Sequence, residues 1–273
     1  MTVREPAMSA DPDLPDQPTV EEVDLTRAWL ARRGVAVDRP SPLPAVRVGA
    51  REQARRSYSV FGALLGVIWV AAILPPIPVP AKFVLVSVVF TAYPLLQWRR
   101  VRPRERVAAR LAPGGARLPW RVAAGQVGWW YLASVAITYA GGVVLCAARF
   151  ATSPPAAAGW AAALAVGLAG TVLVLGPVLR GPVIADDETS LAVDAALRAQ
   201  DAATFAPAAA LAMLAWIDLD ATWPAVPPWF PVRVAYLVLA LGTLLAARFG
   251  RRNRALPPGP HRPAAGLSGS TPS

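Results

Sequence analysis

In 273 residues the chain has one cysteine, one histidine and one lysine. Each scarcity excludes a class of chemistry. A lone Cys146 inside an apolar run allows no intramolecular disulfide and no cysteine metal cluster, and with no base nearby it is expected to be an inert thiol. A lone His261, between Pro260 and Arg262 in a Pro-rich tail, removes a Ser-His-Asp or Cys-His centre, an HExxH zinc site and a bis-His haem. No Gly-rich loop is followed by a lysine, so Gly114-Gly115 is a turn and not a phosphate cradle. Acidic metal-binding motifs are lacking as well. The expectation is a chain that is not an enzyme, with no catalytic residues, no metal ligands and no cofactor.

Charge is scarce too, at 16% of residues, whereas apolar residues reach 55% and come in long blocks. A bilayer core of about 30 Å needs a helix of roughly 17–25 apolar residues rising about 1.5 Å each. Six such runs are present, near 58–74, 82–98, 122–148, 157–179, 203–222 and 232–249. No cleavable signal peptide is visible, because the first run starts only near Tyr58, behind a polar stretch.

The basic residues orient these runs. Of the 27 Lys and Arg, 24 fall in alternate gaps, and the other gaps hold only Lys82, Arg149 and Arg233. By the positive-inside rule this is an all-α polytopic helical bundle of six transmembrane helices with both ends inside, in a bacterial cytoplasmic membrane. The same rule accounts for the net charge of +10, so nucleic acid is not an expected partner. Arg-rich segments on the inner side, including Arg47, Arg51, Arg55 and Arg56, are expected to meet anionic lipid head groups.

The organisation follows. Residues 1–57 form a cytoplasmic arm, Pro-rich and disordered over 1–18. A short helix at about 19–34 opens with the capping-box pair Thr19 and Glu22, and a stiff connector carries Pro40, Pro42 and Pro44. Residues 58–249 form the six-helix domain, with cytoplasmic loops at 99–121 and 180–202, and 250–273 form a disordered tail. The loop from Arg99 to Arg121 holds eight arginines against the single acid Glu105. Gly62 and Gly66 make a GxxxG face, for packing within the chain or against a second copy, and Gly159, Ala163 and Gly167 make another small-residue seam.

Few residues are candidates for function. Asp218 and Asp220 are the only acids within or near a span, and intramembrane carboxylates serve as proton relays or ion ligands. They also lie within about a turn of the outer boundary, where a helix-end role, or a contact from Asp220 to Arg233, is the alternative. Gln97 and Gln126 suit interhelical hydrogen bonds, with a polar path as the sharper role for Gln126. The segment from Gly181 to Asp201 reads as an amphipathic cytoplasmic helix. Its acids Asp186, Asp187 and Glu188 crowd the helix start, Asp194 and Arg198 are spaced i,i+4, and together these five residues form a candidate docking face.

The Ala/Arg-rich style and the run from Pro182 through Asp186-Asp187-Glu188 to Arg198 resemble uncharacterised multi-pass membrane proteins of actinobacteria, a resemblance that implies a membrane location and no particular activity. The expected role is a non-enzymatic accessory or scaffolding component that presents its inner face to a cytoplasmic protein partner or a second copy. The alternatives are a permease-like subunit of an ABC-type exporter and an ion-coupled small-molecule transporter.

Overall fold

A computed structural model describes residues 17–35, 37–73, 78–111, 117–185, 188–206, 208–212 and 230–252. Every element among them is helical: α1 (Val20–Ala31), α2 (Pro42–Ile73), α3 (Val79–Leu111), α4 (Trp120–Val127), α5 (Trp129–Phe150), α6 (Pro154–Arg180), α7 (Glu188–Phe205), α8 (Ala208–Ala212) and α9 (Phe230–Arg252). One isolated antiparallel bridge, Arg117 to Pro182, is the only extended pairing among them.

Four of these helices are long and apolar enough to cross a membrane: Pro80–Leu111, Trp129–Phe150, Pro154–Arg180 and Phe230–Phe249. Their outer surfaces expose large apolar side chains, among them Val143, Val144, Val172, Leu173, Val238 and Leu239, each more than half accessible. A water-soluble chain rarely shows so broad an apolar belt, but a lipid-facing one needs it. Of the other two expected spans, residues 58–73 continue α2 as helix, whereas most of 203–222 lies outside the described residues.

The spans meet at small residues. A methyl group on Gly159 of α6 would come 2.7 Å from Pro80 Cα at the start of α3, and one on Gly170 would collide with Thr91. Starts and middles therefore coincide, and α3 and α6 run parallel. A methyl on Gly141 of α5 would sit 2.6 Å from the Tyr236 ring of α9, and Ser134 Oγ donates to Ala240 O at 3.2 Å, so α5 and α9 run antiparallel. Gly142 of α5 packs on Leu164 of α6, and nearer its C-terminal end Cys146 Sγ contacts Ala157 O, close to the start of α6, at 3.1 Å. That makes α5 antiparallel to α6 as well. The consequence is that α3, α6 and α9 point their Arg-bearing C-terminal ends the same way.

At that end the chain builds a second layer, a cap. Thr19 Oγ1 accepts from the Glu22 backbone N–H (3.2 Å), Glu22 Oε2 accepts from the Thr19 N–H (2.9 Å), and this capping box starts α1. The chain reverses through Gly34, whose φ of +79° favours a residue without Cβ. Helix α1 then crosses α2 so closely that a methyl on Gly49 would meet Glu22 Cα at 2.6 Å. Trp29, Leu30, Val48, Val193 and Leu197 form one apolar cluster joining α1, α2 and α7.

Three expectations about boundaries change. The stiff connector at Pro40–Pro44 is partly helix: Pro42 opens α2, where a missing N–H costs nothing, and the helix continues past residue 57 into the apolar run. The expected loop 99–121 is helical to Leu111, because Arg, Ala and Glu are good helix formers and Val101 and Ala108 are buried. The expected span at 122–148 is interrupted at Gly128, whose φ of +102° ends α4 and lets α5 start at Trp129.

Candidate functional site

Where the cap meets the ends of α3 and α6, six charged side chains from three helices converge. Arg47 and Arg51 are one turn apart on α2, Glu105 lies on the Arg-rich part of α3, and Asp194, Arg198 and Asp201 form one face of α7. Glu105 is 18% exposed, and the other five are at most 7% exposed. An unpaired charge in such a place is prohibitively costly, so the geometry of pairing is decisive.

Every guanidinium nitrogen of the three arginines has an acceptor. Arg47 donates from Nε to Glu105 (3.1 Å), from one terminal nitrogen to Ile184 O (2.9 Å) and from the other to Asp194 (2.7 Å). Arg51 grips Asp201 with two parallel bonds of 2.7 and 2.8 Å, and its remaining nitrogen reaches Glu105 and Arg47 O. Arg198 donates to Asp194 (2.8 Å) and to the carbonyls of Val178 (2.7 Å), Gly181 (3.2 Å) and Pro182 (2.6 Å). Arg198 thereby ties off carbonyls at the C-terminal end of α6, where they lack partners within the helix.

The electrostatics follow from this pairing. Burial works against the Glu105 carboxylate, yet Arg51 and Arg47 together hold its pKa down to about 2. At Arg51 burial favours the neutral form, but Asp201 and Glu105 outweigh it and raise the pKa above the usual guanidinium value. Burial pushes the Asp201 carboxyl above the ordinary aspartate range against the pull of Arg51. Three cations facing three anions leave the cluster neutral.

A second set of contacts locks α1 onto this frame. Arg104 of α3 forks onto Glu22 at 2.9 and 3.0 Å, Arg32 reaches Glu52 at 2.7 Å, and the Trp29 indole donates to Gln200 at 3.1 Å. Chemically the arrangement is a clamp. Among the described residues no group of three or more His, Cys, Asp or Glu is placed to hold a metal ion.

The structure redistributes the candidate residues. Asp194 and Arg198, expected on an exposed docking stripe, are buried at 0% and 6% exposure, as are Ser190 and Asp201. Helix α7 is covered on both sides: its apolar face meets Trp29 and Val48, and its polar face meets α2 and the carbonyls at the end of α6. Arg47 and Arg51, expected at lipid head groups, are committed to ion pairs inside the protein, whereas Arg55 and Arg56 are exposed at 59% and 69%. Asp186, Asp187, Asp218, Asp220 and His261 lie outside the described residues, and of Glu188 only the backbone, at the start of α7, is described.

Gln126 sits half-buried on α4, before the Gly128 break and outside the span helix. Gln97 is buried, but its Oε1 has no hydrogen-bond partner. Sequence reasoning missed the joint role of Arg47, Arg51, Glu105 and Asp201. The available signal was a matched one-face helical spacing: Arg47 and Arg51 at i,i+4 on one segment, Asp194, Arg198 and Asp201 at i,i+4,i+7 on another. No family model, no curated protein and no solved structure matches this chain.

Proposed function

We propose that this chain is a non-enzymatic component of a bacterial cytoplasmic membrane, with six spans and both ends inside, and that its cytoplasmic cap is a rigid platform for a protein partner. The observation that carries the reading is the buried charge cluster. Ion pairs of this kind define one arrangement of helices more than they stabilise it. Here they fix α2, α3 and α7 at the Arg-rich ends of three parallel helices. The positive-inside rule puts that end in the cytoplasm. The outer faces of α1 and α2 remain available, with exposed Glu21, Asp24, Arg27, Arg32, Arg55 and Arg56.

Asp194 and Arg198 act inside the cap in this reading, so a partner meets other residues. An exporter dock on the polar face of α7 draws no support from side chains that are already paired. The test is affinity purification of the full-length tagged protein in mild detergent after crosslinking in cells, with reporters fused after Gly115 and after Pro155. The expected result is a stoichiometric soluble partner, lost in an Arg55→Glu/Arg56→Glu variant, with Gly115 inside and Pro155 outside. Recovery of an ATPase that survives those changes would replace the platform reading with a permease. Reversed reporters would break the topology.

A further inference from the structure

Beside the charge cluster lies a partly open cavity of about 150 Å³, lined by Trp98 and Arg102 of α3, by Pro177 and Val178 of α6, and by the clamp residues. That is many times the roughly 10–15 Å³ one water requires. Each nitrogen of the clamp arginines already has an acceptor, and their charge is matched by the three clamp carboxylates. Arg102 is different. It also lines the cavity, places its guanidinium 5.5 Å from the Trp98 ring centroid, and pairs with no carboxylate among the described residues. Trp98 is 7% exposed, and its indole N–H is buried without an acceptor among the described residues. A buried N–H left unsatisfied is costly, so the pair brings one surplus positive charge and one unused donor to the cavity lining.

The three carboxylates do not oppose an anion here. Glu105 is held by Arg47 and Arg51, Asp194 by Arg47 and Arg198, and Asp201 by Arg51. With four guanidiniums against three carboxylates, the lining carries one net positive charge.

The geometry points to a binding site for a singly charged phosphate group in this cavity, with Arg102 as its charge partner and the Trp98 indole N–H as a donor. A phosphodiester fits best. Its single charge balances the surplus, and the Pro177, Val178 and Pro182 walls suit the carbon chains on either side of it. The cavity also opens at the level where the apolar part of α3 gives way to arginines, which is the depth of lipid phosphates. The lipid source rests on the membrane reading; the cavity and its charge do not.

The test uses full-length protein in dodecyl maltoside, with thermal unfolding and native mass spectrometry as readouts. The probes are short-chain phosphatidylglycerol and inorganic phosphate. The expected result is saturable stabilisation by phosphatidylglycerol, weakened about tenfold or more by Arg102→Gln, as loss of a charge-assisted bond implies. Trp98→Phe keeps an aromatic ring for Arg102 and removes the N–H, and it should weaken binding in the same direction. Arg106→Gln, an exposed position on the same helix, should leave binding unchanged. If inorganic phosphate saturates with the same dependence on the variants, the site is real and its ligand is a soluble phosphate. The proposal is overturned if neither probe binds, if Arg102→Gln and Trp98→Phe bind like the parent, or if Arg106→Gln weakens binding equally. A reporter after Gly115 scoring outside would sink the topology while leaving the binding result in force.

Discussion

Among the spans, helices touch at glycines and share isolated hydrogen bonds, such as Ser87 Oγ to Ala163 O at 2.6 Å and Tyr236 OH to Thr138 O at 2.8 Å. In the cap, helices touch through guanidinium–carboxylate forks and a small apolar cluster. The difference reflects the solvent on each side. Between lipid-facing helices hydrophobic burial gives little driving force, so close approach at small residues is what remains. In the cap, water withdraws from charges that are then worthless unless fully paired. The first region tolerates loss of a polar contact and not added bulk; the second tolerates bulk at its edges and not loss of a charge.

The strongest test of this contrast is Asp194→Ala. Asp194 is fully buried and serves both Arg47 and Arg198, so removing it leaves buried Arg198 without a carboxylate and Arg47 with Glu105 alone, at a cost of about 3–5 kcal/mol. The expected readout is loss of the folded, monodisperse species in detergent. An Arg51→Met/Asp201→Leu double change removes the Arg51–Asp201 pair together and leaves Glu105 to Arg47, and it should cost less than either single change. A double variant as damaged as the worse single would mean that the pair adds stability beyond mutual compensation.

Acid should open the same region. Glu105 titrates at about 2 in the folded protein because of Arg51 and Arg47, against 4.5 ordinarily. A depressed carboxylate pKa stabilises fully above the unfolded value, and that stabilisation fades as pH falls from about 4.5 through about 2, on the order of 3 kcal/mol in total. Asp201, shifted the other way by burial, works against this trend by favouring the folded state as it protonates. The expectation is a midpoint of thermal unfolding that drops between pH 5 and pH 2, with a shallower drop in Glu105→Gln. A parent protein indifferent to acid would mean that Glu105 is not held by the two arginines.

These features were unequally legible in the sequence. The helical class and the capping box at Thr19 and Glu22 follow from local rules that act within a few residues, and α1 carries them out. The seam at Gly159, Ala163 and Gly167 is legible in the same way, since three small residues at i, i+4 and i+8 share a face whatever they touch. The partners of Arg47 and Arg51 are a different matter. Spacing puts both on one face of α2, but that face looks the same whether lipid phosphates or α7 lie opposite. Only the fold back of α7, from 147 to 150 residues downstream, decides it. Gly128 was hidden for a similar reason: a glycine in an apolar run is compatible with a continuous helix, and only its φ of +102° shows the break.

Within the spans the corresponding test adds a methyl group. Gly159→Ala meets the Pro80 backbone, which cannot rotate away, and overpacking of this kind costs about 1–3 kcal/mol. Gly176→Ala, on the same helix, meets nothing within 4 Å, so it should be neutral or slightly stabilising through helix propensity alone. Equal effects on the thermal midpoint at the two positions would contradict the close approach of α3 and α6.

The smallest expected effect isolates burial as the variable. Arg27 and Asp24 form the same kind of pair as the clamp residues, at 3.0 Å, but their side chains are 49% and 61% exposed. Arg27 also donates to the Asp38 carbonyl at 3.1 and 2.9 Å, helping to hold the turn after α1. Water screens the exposed charges and solvates either partner once the other is gone, so Arg27→Ala should cost less than about 1 kcal/mol. Most of that small loss belongs to the turn, so Asp24→Ala, which leaves the carbonyl bonds intact, should cost less still. If either exposed change destabilised the protein as much as Asp194→Ala, pairing itself would govern the cap. A large gap between them instead assigns the clamp's importance to the absence of water around it.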